Sequence, residues 1–329
     1  PITASWSYCY DANGNRTYDS TSTAPTVACP GQPGGPAATY TYDPADALIA
    51  RAGTPAGAFS YDGNGAELTG AGATTRTGAS WNPRGQLTSL TSNGTTTPFS
   101  YAGEGNKERL TAGGSGYQNT PLGVTTQTGT GASTVIREPG GTPVALRIGG
   151  ASYYYIADRQ GSTISLVDAT GAEVNHYSYD PYGNARATTE TVPNPWQYIG
   201  GQYDTTTGLY HLQARYYDPT LGRFTQPDPS GQEANVYAYA ACNSVNSSDP
   251  TGLAPNCGLA AAAGGILGGL VGAGLGGFAS GGNPVGAAVG AVKGAVSGYE
   301  ATSAVCNSDE SAGGRVLDGV KAYLNVDEP

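Results

Sequence analysis

Up to residue 253 the hydrophobic pattern is that of strands. Tyr153 to Ile156 (YYYI), Thr163 to Val167 (TISLV) and Glu173 to Tyr179 (EVNHYSY) are rich in aromatic and β-branched residues with apolar or aromatic alternation, the pattern of half-buried strands. No stretch before residue 253 sustains an apolar period of 3.6. A longer repeat lies over this alternation. Aromatic-led units start at Tyr42 (YDPADAL), Tyr61 (YDGNGAEL), Trp81 (WNPRGQL) and Tyr101 (YAGEGNKERL), spaced 19, 20 and 20 residues apart, with an isolated copy at Tyr10 (YDANGNR). Each reads as a strand end, a tight turn of Asp, Asn and Gly, and a Thr/Ser-rich return strand with an apolar residue such as Leu68, Leu87 or Leu110. About 20 residues accommodate two strands and two turns. One such unit buries no face, so the units are expected to continue side by side into one long sheet.

Composition sharpens this picture. Among 329 residues, 52 are Gly, 22 Pro and 23 Tyr, against four Phe and no Met. So many turn formers exclude a helix bundle, and Tyr suits pleated sheets with one wet face because it buries its ring and keeps its hydroxyl in water. A net charge of −10, from 15 Lys plus Arg and 25 Asp plus Glu, offers no footprint for a phosphate backbone, so no nucleic-acid partner is expected. With no initiator Met or signal peptide, the chain reads as a piece of a longer polypeptide. Five cysteines without a CxxC pair and two histidines supply no zinc set, so no metal or cofactor is expected. The cysteines read as small buried thiols, with Cys9 and Cys29 a candidate disulfide. His176 and His211 read as packed strand residues, and the phosphate-loop, zincin and nucleophile-elbow motifs are absent.

From Asp158 onward the residues become specific. DRQGST at 158–163, YDPYGN at 179–184, TGLYHLQARYYDPTLGRFTQPDPSG at 207–231 and SVNSSDPTGL at 244–253 resemble the RHS repeat proteins, also called YD-repeat proteins, and in particular their repeat-associated core domain. The resemblance implies a mainly β fold in which a spiral of β-hairpins winds into a hollow shell closed by a core plug. It also implies that the shell encloses a C-terminal polypeptide, often a toxin, and cuts it free after the Leu of the DPxGL motif. Three regions follow: repeats over 1–150, the core domain over 151–253, and a cargo segment over 254–329. The setting implied is a secreted or surface-exposed bacterial polymorphic toxin system, with an immunity protein as a further partner.

In that family two aspartates and an upstream arginine are implicated in self-cleavage, and Arg215, Asp228 and Asp249 stand in those places. A dyad of carboxylates can divide into one protonated and one ionised member, because both cannot be charged cheaply when close together. The expected reaction is hydrolysis of the Leu253–Ala254 bond in cis, once per chain. Without the resemblance Asp228 and Asp249 would read as turn formers, since Asp-Pro occurs five times, at Asp43, Asp180, Asp218, Asp228 and Asp249. Two departures from the pattern fall close by. The Asp228 to Asp249 segment is two residues short, which a turn at QEAN could absorb, and Cys242 and Ser244 stand where relatives carry Asn and Pro. A different class stays open: a non-enzymatic wall-associated or glycan-binding repeat protein, in which DPTGL is only a turn.

After residue 253 the pattern changes. No charged residue occurs from Ala254 until Lys293, and glycines step by four at Gly264, Gly268, Gly272 and Gly276, then at Gly286, Gly290, Gly294 and Gly298. Such steps place a small face along a helix, as in closely packed membrane pairs. Residues 259–298 therefore read as a helical hairpin that inserts into a membrane, as a hairpin packed inside the shell, or as a Gly/Ala linker.

Overall fold

In a computed structural model the protein is described over residues 5–22 and 37–253. Contacts divide the chain into two units, Pro1–Val245 with Asp249–Leu253, and Asn246–Ser248 with Ala254–Pro329. Among the described residues of the first unit the regular elements are β-strands, apart from single 3₁₀ turns at Tyr198–Gly200 and Ala240–Cys242. It holds three antiparallel meanders in sequence order: five strands from Ser5–Tyr10 to Gly57–Ala58, fourteen from Ser60–Tyr61 to Ala185–Glu190, and four between Gln202–Asp204 and Arg223–Phe224. The units at Tyr61, Trp81 and Tyr101 continue side by side in the fourteen-stranded sheet, whereas those at Tyr10 and Tyr42 lie in the five-stranded one, so the expected single sheet is broken between Gly57–Ala58 and Ser60–Tyr61. Residue 150 lies in a turn within it, where Pro143–Ile148 pairs with Ala151–Ala157. Cys29, the expected tail helices, and the membrane hairpin at 259–298 lie outside the described residues; among those described, no helix is long and apolar enough to cross a membrane.

One turn builds the repeat. At Asp11, Asp43, Asp62, Asn82, Asp158, Asp168 and Asp180 the side-chain Oδ1 accepts the backbone N–H groups two and four residues on. The backbone closes the same loop, with the third residue on donating back to the Asp or Asn carbonyl. That is why the motif needs Asp or Asn first and a residue tolerant of the left-handed region three later. Where an aromatic precedes the turn it sits at a bulge, with register shifts at Tyr10, Tyr42, Tyr61, Trp81, Tyr101 and Tyr179.

The bulge sets which face turns inward, and here the sequence misleads. The buried residue after the turn is Leu48, Glu67, Leu87 and Arg109 in successive units, while Leu68 is only half-buried and Leu110 is 40% exposed. In these two units the charged neighbours Glu67 and Arg109 take the inward place that Leu48 and Leu87 hold in the others. Arg109 is stabilised there by the rings of Phe99, Tyr117 and Tyr216 and by Gln202 Oε1 at 2.8 Å.

The short sheet lies at the centre of the packing. Tyr210, Leu212, Tyr217 and Phe224 cluster with Tyr182, Tyr198 and Tyr239, while Leu209 and Tyr216 join Leu87, Leu90 and Phe99 of the long sheet, and Leu221 joins Tyr40, Leu48 and Phe59. Charge also ties the sheets together. The Arg76 guanidinium, fully buried, meets Glu67 at 2.8 Å and Asp218 of the short sheet at 2.7 Å. At Gly72 a Cβ would stand 2.1 Å from the Asp218 carboxylate, so this approach requires glycine.

Candidate active site

Arg215, on the third strand of the short sheet, is wholly buried and its guanidinium makes three hydrogen bonds to two segments. Nε donates to the Gly252 carbonyl at 2.6 Å, Nη1 to Val236 at 3.1 Å and Nη2 to the Asp249 carboxylate at 3.2 Å, with the plane 3.5 Å from the Phe224 ring centre. Asp249 is also fully buried, and its other oxygen accepts the Leu253 N–H at 3.2 Å and the Thr251 hydroxyl at 3.1 Å. Gly252 has a φ of +64, and a Cβ there would meet the Leu212 carbonyl at 2.5 Å, so the DPTGL glycine is required twice over.

Asp228 reaches the same place from the other side. Its carboxylate accepts the backbone N–H groups of Ser230 at 2.9 Å and Gln232 at 3.0 Å, and the Ser230 hydroxyl lies 2.8 and 2.7 Å from its two oxygens. The same hydroxyl lies 3.1 Å from the Leu253 carbonyl oxygen. Leu253 is therefore gripped at both polar atoms, its oxygen linked through Ser230 to Asp228 and its N–H held by Asp249. All of Arg215, Asp228, Asp249 and Leu253 come together; Ala254 lies outside the described residues. Both aspartates use the turn of the repeats, accepting from the residue four on while Gly231 and Gly252 donate back to their carbonyls at 3.4 Å.

Burial sets the electrostatics. It lifts the Asp249 carboxyl above the usual carboxylate range and pulls Arg215 below its usual value, each opposed by the charge of the other. Glu233, which was not among the expected site residues, joins them. Burial pushes its pKa up to about 8, Arg215 opposing and Asp249 and Asp228 reinforcing, and its shielded Oε1 has no hydrogen-bond partner. It stands in the QEAN stretch where the segment is short. The folded value exceeds the ordinary 4.5, so the folded state holds the proton longer and stability drops as pH rises from about 4.5 through about 8. Glu233→Gln is therefore expected to stabilise the fold by about 2 kcal/mol at pH 9, after a discount for partial exposure, and to change nothing at pH 4. Thermal unfolding of both proteins at the two pH values checks this; equal shifts at both would contradict it.

The remaining Asp-Pro aspartates are structural: Asp43 and Asp180 make repeat turns, and Asp218 pairs with Arg76. His211 is a packed strand residue, bonded to the Asn106 carbonyl at 2.7 Å, its pKa brought down to about 3 by burial and by Arg109. His176 differs from expectation, half-exposed beside Glu173. Cys242 adopts a left-handed backbone (φ 59), a conformation asparagine takes more readily, and its thiol donates to the Gly14 carbonyl at 3.0 Å. Among the described residues no group of acidic, His and Cys side chains could hold a metal ion.

Repeating Asp-led turns, sheets in unbroken sequence order and a tyrosine-rich short sheet define a β-hairpin repeat protein, and the Teneurin YD-shell family model matches residues 123–246. The chain is a YD-repeat protein of the RHS type. Its relatives include the tRNA3(Ser)-specific nuclease WapA of Bacillus spizizenii, 32% identical over 207 residues, which are 56% of this chain and 9% of that protein. Toxin subunit YenC1 of Yersinia entomophaga is 36% identical over 102 residues, 29% of this chain and 10% of that protein. This chain thus spans about a tenth of the length of these curated relatives. The crystal structure of TcdB2-TccC3-TEV superposes with a TM-score of 0.49 at 20% identity, covering 75% of this chain and 15% of that one.

Proposed function

We propose that this chain is the C-terminal part of a YD-repeat shell that hydrolyses its own Leu253–Ala254 bond and frees residues 254–329 as cargo, in a secreted bacterial toxin system. In this reading residues 1–150 are shell repeats and 151–253 the cleaving core. The observation that carries it is the grip on Leu253, with Asp228 reaching its carbonyl oxygen through Ser230 and the Arg215–Asp249 pair holding its N–H. Asp249, where the Arg215 guanidinium opposes the lift that burial gives its carboxyl, serves as the carboxylate that takes a proton from water, and Asp228 as the acid on the carbonyl side. The substrate is part of the same chain, so effective molarity stands in for binding and one turnover suffices. The relatives' names, a nuclease and a toxin subunit, suit a shell with a harmful cargo, for which an immunity protein would be a partner. The rival reading, a non-enzymatic wall-associated or glycan-binding repeat protein, draws on the fact that both aspartates make the contacts of ordinary repeat turns.

Cell-free synthesis of the chain followed over time separates the two. Cleavage in cis predicts first-order loss of intact chain with a half-life that is the same at every protein concentration. A half-life that shortens as concentration rises, or no loss at all, would overturn the proposal.

A further inference from the structure

We infer that Ser230 is a catalytic residue of the self-cleavage proposed above, carrying a proton between the Asp228 carboxyl and the carbonyl oxygen of the Leu253–Ala254 bond; the inference rests on that cleavage. The argument is one of donors and acceptors. Ser230 Oγ lies 2.8 and 2.7 Å from the two oxygens of Asp228 and 3.1 Å from Leu253 O. A serine hydroxyl carries one proton, so it can donate to only one of these three oxygens at a time. If it donates to Asp228, the Leu253 oxygen loses this donor. If it donates to Leu253, the contact at 2.7 Å needs its own proton, and that proton can come only from a protonated Asp228. The arrangement in which both contacts are hydrogen bonds is a relay: the carboxylic acid donates to Oγ, and Oγ–H donates to the carbonyl about to be attacked.

Other turns of the molecule show that this is not the default. Thr170 and Thr251 hold the same place, two residues after Asp168 and Asp249, and their hydroxyls also bond to the carboxylate of their own turn, at 2.6 and 3.1 Å. Thr220, two residues after Asp218, reaches out to Asn184 Oδ1 at 3.1 Å, but of these four hydroxyls Ser230 is the one placed between its own carboxylate and a backbone carbonyl, 23 residues along the chain.

The reaction balances with water as the only co-reactant. Water oxygen bonds to the Leu253 carbonyl carbon while one of its protons passes to the Asp249 carboxylate. The carbonyl oxygen, gaining the electron pair of the opening C=O bond, takes the Ser230 proton, and Ser230 is refilled from Asp228. As the C–N bond breaks, the electron pair goes to the Ala254 nitrogen, which receives the proton held by Asp249, and the proton on the former carbonyl oxygen returns through Ser230 to Asp228. The products are a carboxyl at Leu253 and an amine at Ala254, with both aspartates restored.

The test compares the full chain with Ser230→Ala, Ser230→Thr and Ser230→Val, made by cell-free synthesis, with Asp228→Asn alongside and thermal unfolding to confirm that each variant folds. Thr and Val share a shape and differ in the hydroxyl. The Ala and Val variants are expected to be cut about 100-fold more slowly than wild type, the usual effect of losing a donor to a developing oxyanion, and Thr within about fivefold of wild type. Val cut as fast as Thr, or Ala as fast as wild type, while Asp228→Asn stays intact, would overturn the role of Ser230 and leave the cleavage standing. Wild-type chain that stays intact would overturn both.

Discussion

Asp228→Asn is expected to leave the chain folded and uncut, with the rate of release of residues 254–329 reduced by about a thousandfold or more, as for removal of other essential catalytic groups. The molecule itself argues that the fold survives. Asn82 makes a turn of the same kind, its single Oδ1 accepting from Arg84 and Gln86 at 3.0 and 3.1 Å where Asp228 uses both oxygens, so one amide oxygen can serve both N–H groups of such a loop. What an amide lacks is a proton that can be given and taken back. The corresponding change at Asp249 is expected to stop cleavage too, but with a structural cost, because it leaves the buried guanidinium of Arg215 facing a neutral partner. Loss of one member of a buried pair typically costs about 3–5 kcal/mol. Time courses by gel together with urea unfolding of the two variants check the contrast; Asp228→Asn cut at the wild-type rate would remove it from the chemistry.

An equally large effect on stability is expected where the long sheet meets the short one. Arg76→Met is predicted to cost about 3–5 kcal/mol, because it strands two carboxylates, Glu67 and Asp218, that have no water to turn to. Burial already raises the Glu67 pKa, with Arg76 the main opposing influence. The loss should be mostly recovered by replacing all three residues with apolar or neutral ones of similar volume, Arg76→Met with Glu67→Leu and Asp218→Asn, since the penalty belongs to unpaired charge and not to missing bulk. Urea midpoints of the single and triple variants measure it. A single variant within about 1 kcal/mol of wild type would show that this ion pair is not what joins the long sheet to the short one.

How much of this could be read from the sequence depends on the range over which each residue acts. The turns were legible because their cause is local: Asp62 with Gly65 or Asp180 with Gly183 satisfies its own loop within five residues. Arg215, Asp228 and Asp249 were legible only through the resemblance, since their turn contacts are those of any repeat and their meeting at Leu253 is a product of the fold. Glu67, Arg76 and Arg109 were not, because an alternating pattern assigns charge to the wet face, whereas Glu67 and Arg109 take the inward place that Leu48 and Leu87 hold in other units and Arg76 is buried against Glu67. Asp218 lies 142 positions from Arg76, and nothing in either neighbourhood announces the pair. Ser230 and Glu233 sit in a loop that reads as generic turn, and the one available signal was the shortened spacing between Asp228 and Asp249.

The most direct measurement of the central claim is the intact mass of wild-type chain minutes after synthesis, with Asp228→Asn as the reference. The account predicts two species in the wild type, one ending at Leu253 and one beginning at Ala254, their masses summing to that of the chain plus one water, and a single intact species in the variant. A wild-type chain that keeps its full mass, or a cut at any other bond, would contradict it.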